Sequence, residues 1–109
     1  MVAKRGTLTP YAIYAFLNAD VTTAAESLVD LGFDAADVLA ADVVYISIEG
    51  AAIRWRADGT APTTGIGIPE ADATKFDLWG FSNIRNLQLI AQSGTATLNM
   101  FLARQGGAP

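Results

Sequence analysis

The residues best suited to chemistry are Arg54 and Arg56, which flank Trp55 and precede Asp58. On extended backbone, alternate side chains share a face, so two guanidiniums would stand about 7 Å apart on one side and the indole on the other. Such a pair can clamp a carboxylate, a phosphate or a sugar acid. The competing reading pairs them with carboxylates such as Glu49, Asp58, Asp72 or Asp77, on adjacent strands or on a neighbouring subunit, and ordinary cross-strand pairing makes it the simpler one. Tyr45, Trp55 and Trp79 offer a second possibility, a platform for a sugar ring, although large aromatics at strand spacing more often serve a core or an interface.

The rest of the inventory argues against catalysis. The chain has neither Cys nor His, which removes disulfides, thiolates, the usual zinc ligands and the commonest general base. Serines therefore lack an activating imidazole. Asp34, Asp37, Asp42, Asp58, Glu70, Asp72 and Asp77 do not follow the spacing of an EF-hand loop and read as solvated turn residues. Gly65-Ile66-Gly67 lacks the lysine and the following helix of a phosphate-cradling loop. The expectation is no enzyme, no catalytic residue, no cofactor and no metal. The face that carries Arg54 and Arg56, together with the aromatics Tyr11, Tyr14, Phe16, Tyr45, Trp79 and Phe101, is the candidate interface.

The elements that must hold these residues read mainly as strands. Tyr11 to Leu17 suits a strand that is buried on both faces or lies at a subunit contact. Lys4-Arg5 ahead of it faintly imitates a signal peptide, but the apolar run is short and a strand fits better. Val21 to Asp42 is alanine-rich and ambiguous. One reading gives a short helix ending at Gly32 with a second helical turn over 34–40; the other makes Ser27 to Leu31 a strand. Val43 to Ile48 is β-branched and aromatic, and Glu49-Gly50 predicts a hairpin that returns Ala52 to Ala57 alongside it. In that arrangement Val44, Ile46 and Ile48 share one face, while Ile53, Trp55 and Ala57 point to the core opposite Arg54 and Arg56.

Asp58-Gly59 and Pro62 predict a turn leading into a surface loop over 63–69. Strict alternation in Lys75 to Trp79 points Phe76 and Leu78 inward. Gly80 ends that strand, and Phe81 to Ile84 reads as a short turn or single helical turn that drops Phe81 or Ile84 into the end of a sandwich. Leu87 to Gln92 and Thr95 to Leu102 form a second predicted hairpin through Ser93-Gly94. Its last strand sets Leu98, Met100 and Leu102 inward, and Thr97, Asn99 and Phe101 toward water or a partner.

The sum is a single domain over residues 1–109: an antiparallel β-sandwich or small barrel of about six to eight strands, with at most one short helix near residues 22–40. The expected loose ends are an N-terminal arm over 1–10 and a tail over 104–109. Apolar residues make up 51% of the chain and charged ones only 17%, more than one small core readily hides, which predicts contact with other subunits. Seven basic against eleven acidic residues, a net charge of −4, speak against nucleic acid as a partner. No run of 18 apolar residues calls for a membrane span.

Ile53-Arg54-Trp55-Arg56-Ala57-Asp58-Gly59-Thr60-Ala61-Pro62-Thr63, followed by Gly67, Leu78-x-Gly80, Ile84-Arg85-Asn86-Leu87 and Ala96-Thr97-Leu98-Asn99, resembles small virion structural proteins of tailed bacteriophages. In these proteins a hydrophobic-Arg-aromatic-Arg-x-Asp-Gly-x-x-Pro-Thr core recurs. The likeness covers about residues 27–103. It departs from the pattern after Gly67, where Ile68 replaces a histidine common in the group. The resemblance implies a non-enzymatic β-sandwich in the particle: a capsid decoration or cement protein, with a head-to-tail joining part or a fibre-associated receptor or glycan reader as alternatives. The partners implied are further copies of the chain, expected as a trimer, and the major capsid protein or other virion proteins.

Overall fold

A computed structural model describes residues 11–105. The expected arm over 1–10 and residues 106–109 of the expected tail lie outside the described residues. Arg104 and Gln105, assigned to that tail, instead complete the last strand.

The chain is mainly β. In order it forms β1 (Tyr11–Val21), β2 (Glu26–Ser27), α1 (Leu28–Leu31), α2 (Ala35–Ala40), β3 (Val43–Glu49), β4 (Ile53–Arg56), β5 (Ile68–Glu70), β6 (Lys75–Trp79), α3 (Phe81–Asn86), β7 (Gln88–Ala91) and β8 (Ala96–Gln105). Two antiparallel four-stranded sheets result, in the orders β1-β8-β3-β6 and β2-β7-β4-β5. First pairs with last, second with seventh, third with sixth and fourth with fifth. This nested order, rolled into two sheets, is the jelly-roll topology.

The core lies between the sheets. Val44, Ile46, Ile48, Leu98, Met100 and Leu102 from the first sheet, and Ile53, Leu89 and Ala91 from the second, are at most 1% exposed. The inward row of β8 is the one the sequence predicts, and of the two faces read on β3 the inward one is that of Val44, Ile46 and Ile48. On β6, Phe76 and Leu78 pack against this core, also as predicted. Trp55 stacks on Phe76 with ring centroids 5.4 Å apart and planes 8° from parallel, tying one sheet to the other.

Both predicted hairpins are corrected. β3 bonds to β6 and β8, whereas β4 bonds to β5 and β7; the Glu49-Gly50 turn therefore carries the chain from one sheet to the other. Ser93-Gly94 likewise joins β7 to β8 across the core. An apolar face on each arm is satisfied equally by lying side by side or by facing across a gap of about 10 Å. Long-range pairing with β8 and β7 selects the second. The small residues Gly50, Ala51 and Ala52 make the crossing, held by Gly50 N donating to Asp72 Oδ1 at 2.8 Å and Gln92 N to the Ala52 carbonyl at 2.9 Å. Among the described residues, β4 and β5 are the only strands adjacent in sequence that pair.

Over residues 22–40 the helical reading holds, with α1 ending at Gly32 and α2 following, and the rival strand over Ser27 to Leu31 is corrected: only the two-residue β2, Glu26–Ser27, precedes the helices. Ser27 caps the first, its hydroxyl accepting from Asp30 N while its own amide donates to the Asp30 carboxylate. The second follows Asp34, whose carboxylate makes no cap bond. A third helix is α3, longer than the predicted turn, and of its two candidates Ile84 is the buried one while Phe81 is 56% exposed. Helical content thus exceeds the single helix expected. Of the two alternatives for β1, burial on both faces is corrected: it is an edge strand, with Tyr11, Ile13 and Phe16 exposed and Val21 buried. Pro69 fits β5 because that strand is also an edge, where a missing amide costs no ladder bond.

Candidate functional site

The register of the first sheet brings most of the candidate aromatics onto its outer face. Phe16 pairs with Phe101, Phe101 with Tyr45, and Tyr45 with Asp77, so one row crosses all four strands. The next row reads Asn18, Asn99, Ser47 and Lys75. The row on the other side contains Ile13, Ala103, Val43 and Trp79.

Tyr45 and Phe101 lie 4.5 Å apart between centroids at 34°. Tyr11 meets Trp79 edge-to-face at 5.0 Å. Because Tyr11 and Trp79 belong to the two outermost strands, their rings must reach over β8 and β3. The residues on that row, Ala103 and Val43, are buried yet stand outside the inter-sheet core. The aromatic pair thus acts as a small lid on the outside of the sheet. Trp79 Nε1 donates to the Asp77 carboxylate, which fixes the indole. Phe16 at 64%, Ile13 at 60%, Tyr11 at 46% and Trp79 at 43% remain exposed.

Beside this patch lies an open depression of about 500 Å³, lined by Tyr45, Ser47, Lys75, Asp77, Asn99 and Phe101. It combines two ring faces with a cation, a carboxylate and an amide. Asn18 Nδ2 donates to Asn99 Oδ1 at 2.7 Å and so orients that amide.

Tyr14 is the one candidate aromatic that leaves the outer face. A register shift between Ile13 and Ala15 turns its ring toward the core. Its hydroxyl donates to the Asp37 carbonyl of α2, and the Arg104 guanidinium sits 4.7 Å from the ring centroid. Burial pushes its phenol up from the usual tyrosine range, against the pull of Arg104.

Arg54 and Arg56 lie on the second sheet, away from this face, and are spent locally. Arg54 Nε and Nη1 donate to the carbonyls of Thr64 and Gly67, at 3.2 and 2.9 Å, pinning the loop that folds back over β4. Arg56 Nε donates to Asp58 Oδ1 at 3.0 Å, and Nη2 to Oδ2, a bidentate ion pair. That fork holds the Asp58 carboxyl down at about 2, helped by the Thr60 amide. The simpler reading, pairing with a carboxylate, holds for Arg56 and names the right partner. Arg54 pairs with backbone instead.

Among the described residues no polar or charged side chain is buried, and no three acidic residues converge as metal ligands do. Sequence reasoning passed over Lys75, Asn18 and Ile13 as site residues. The alternation of β6 already places Lys75 outward with Asp77 and Trp79, but only the pairing register sets it beside Asn99. Compared with known protein families, curated proteins and solved structures, the chain matches none.

Proposed function

We propose that this chain is a structural subunit of a tailed-bacteriophage particle, a capsid decoration protein that stabilises the head by bridging capsomers and works as a homo-oligomer. The observation that carries the reading is the aromatic outer face of the first sheet, where Tyr11, Ile13, Phe16 and Trp79 stand exposed together. A contiguous apolar patch of this kind marks a contact with another protein. The resemblance of the Arg54 to Thr63 run to small virion proteins agrees with it. The jelly roll, an architecture used by viral capsid and lectin domains, agrees by analogy only.

The test is to mix purified protein with empty capsids and to count its copies in purified particles by quantitative gel. Decoration predicts binding and many copies per particle. A copy number that fits one ring at the neck would move the assignment to a head-to-tail joining part, and absence from the particle would end the virion reading.

The depression beside the patch favours a second reading, a receptor or glycan module. Tyr45 and Phe101 would carry the apolar face of a sugar, and Lys75, Asp77 and Asn99 its hydroxyls or acid group. A glycan array should then give hits that vanish with Lys75→Ala and persist with Arg54→Ala, because Arg54 is engaged with its own loop. An array without hits removes this reading and leaves the first untouched.

A further inference from the structure

The free side of β1 carries an inference that the outer face alone does not. β1 is eleven residues long and bonds on one side to β8. Among the described residues no backbone hydrogen bond reaches its other side. From Tyr11 to Ala19 it contains no charge and no proline. Edge strands are normally blunted by lysine, proline, brevity or a covering element, because their unpaired amides and carbonyls template another strand. Among the described residues of β1 the only such devices are the register shift near Tyr14 and the terminal Asp20. Directly beside the free edge stand Ile13 and Phe16, among the most exposed large apolar side chains described.

We infer that β1 pairs antiparallel with β1 of a second copy, joining two four-stranded sheets into one eight-stranded sheet across a two-fold axis. The occupant follows from the chemistry of the edge. A row of unsatisfied backbone donors and acceptors asks for a strand, and a two-fold axis perpendicular to the sheet supplies the same strand in the reverse direction. That axis keeps both outer faces on one side, so the two aromatic patches merge. Placed at Phe16 or at Asn18, it sets no like charges opposite one another, since Asp20 of each copy falls against the uncharged half of the other strand.

Tyr11, Ile13 and Phe16 stand on β1 itself and line the seam, whereas Trp79 lies on β6 at the opposite edge of the sheet and stays outside it. The inference deepens the homo-oligomer of the proposed function, with a dimer in place of the trimer suggested by the resemblance.

The test uses the full chain, whose lack of native Cys makes cross-linking clean. Sedimentation equilibrium should give the mass of two chains. Phe16→Lys should halve it while leaving the circular dichroism spectrum unchanged, and Leu39→Lys, at an exposed apolar site on α2, should leave the dimer intact. Residues that face their own copies across an antiparallel pair have Cα atoms about 4.5–5.5 Å apart, within disulfide reach. Either Phe16→Cys or Asn18→Cys should therefore oxidise to a covalent dimer without added cross-linker. A monomer at high concentration, or a dimer that neither cysteine variant links, overturns the edge pairing. A trimer overturns it as well, yet leaves the decoration reading standing, because capsid binding and copy number are read separately.

Discussion

Replacing Gly67 by alanine tests how the Arg54 loop is built. Gly67 has φ +137°, and a Cβ there would stand 3.1 Å from the Trp55 carbonyl oxygen, 3.2 Å from Arg54 Cβ and 3.2 Å from Pro62 Cβ. Carbon contacts are comfortable at about 3.5–4.0 Å, so the added methyl overpacks three neighbours at once. Overpacking costs about 1–3 kcal/mol, and an alanine held at unfavourable positive φ costs about 1–3 kcal/mol more. Gly59 provides the internal control, with φ +87° and nothing within 4 Å of its Cβ. Gly59→Ala should bear the conformational cost alone. Urea unfolding followed by tryptophan fluorescence, with Trp55 stacked on Phe76 between the sheets as a reporter, gives both values at an unchanged m. The expected gap between the variants is about 1–3 kcal/mol, and Gly67→Ala should melt roughly 10–20 °C below the parent. Equal losses for the two alanines, within about 0.5 kcal/mol, would mean that the loop does not lie against β4, and Arg54 would have to be sought elsewhere.

Three further outcomes follow from named contacts. The Asp58 carboxyl, held at about 2 by the Arg56 fork, lies below its unfolded value, so its contribution is present above about pH 4 and is lost as pH falls toward 2. Carboxyl NMR titration should place its midpoint near 2, returning to the ordinary aspartate range in Arg56→Ala. Because Asp58 is exposed, the stability change should be small. Tyr14→Phe removes the hydroxyl donated to Asp37 and should cost about 1 kcal/mol. In the parent the Tyr14 phenol should titrate above the ordinary tyrosine range by ultraviolet absorbance, and the stability tied to the neutral phenol is lost only as pH rises past about 10. Met100→Ala, at a fully buried position between the sheets, should cost about 2–5 kcal/mol by urea unfolding, whereas Phe81→Ser on the exposed side of α3 should stay within about 0.5 kcal/mol.

The strands were legible because their side chains alternate. Val44, Ile46 and Ile48, and Leu98, Met100 and Leu102, each form one buried row, and the mainly β class follows; the short β2 and β5 were not legible, the latter beginning inside the loop expected over 63–69. Which strand lies beside which was not legible, since Glu49-Gly50 and Ser93-Gly94 have the composition of hairpin turns but serve as crossings. Local turn chemistry sets the reversal of the chain, while the partner strand is chosen by residues up to 94 positions away, as in the pairing of Tyr11 with Gln105. The same limit governs the site. Outward positions for Tyr45, Trp79 and Phe101 could be read from alternation, but the row from Phe16 to Asp77 exists only through register. Tyr14 shows the converse, because one extra residue in β1 sends an aromatic inward that simple alternation would leave undecided.

The nesting of the strands has a kinetic consequence. β1 leaves the ribosome first and β8 last, yet each is the other's neighbour. Until β8 has emerged through Gln105, the uncharged stretch from Tyr11 to Ala19 has no sheet to join, so folding must wait for β8 and proceed through contacts of long sequence separation. During that interval the same stretch is the segment most exposed to mispairing between nascent chains. Slow refolding and losses that grow with protein concentration are the expected signature, and raising net charge near Ala12 should relieve them without touching the core.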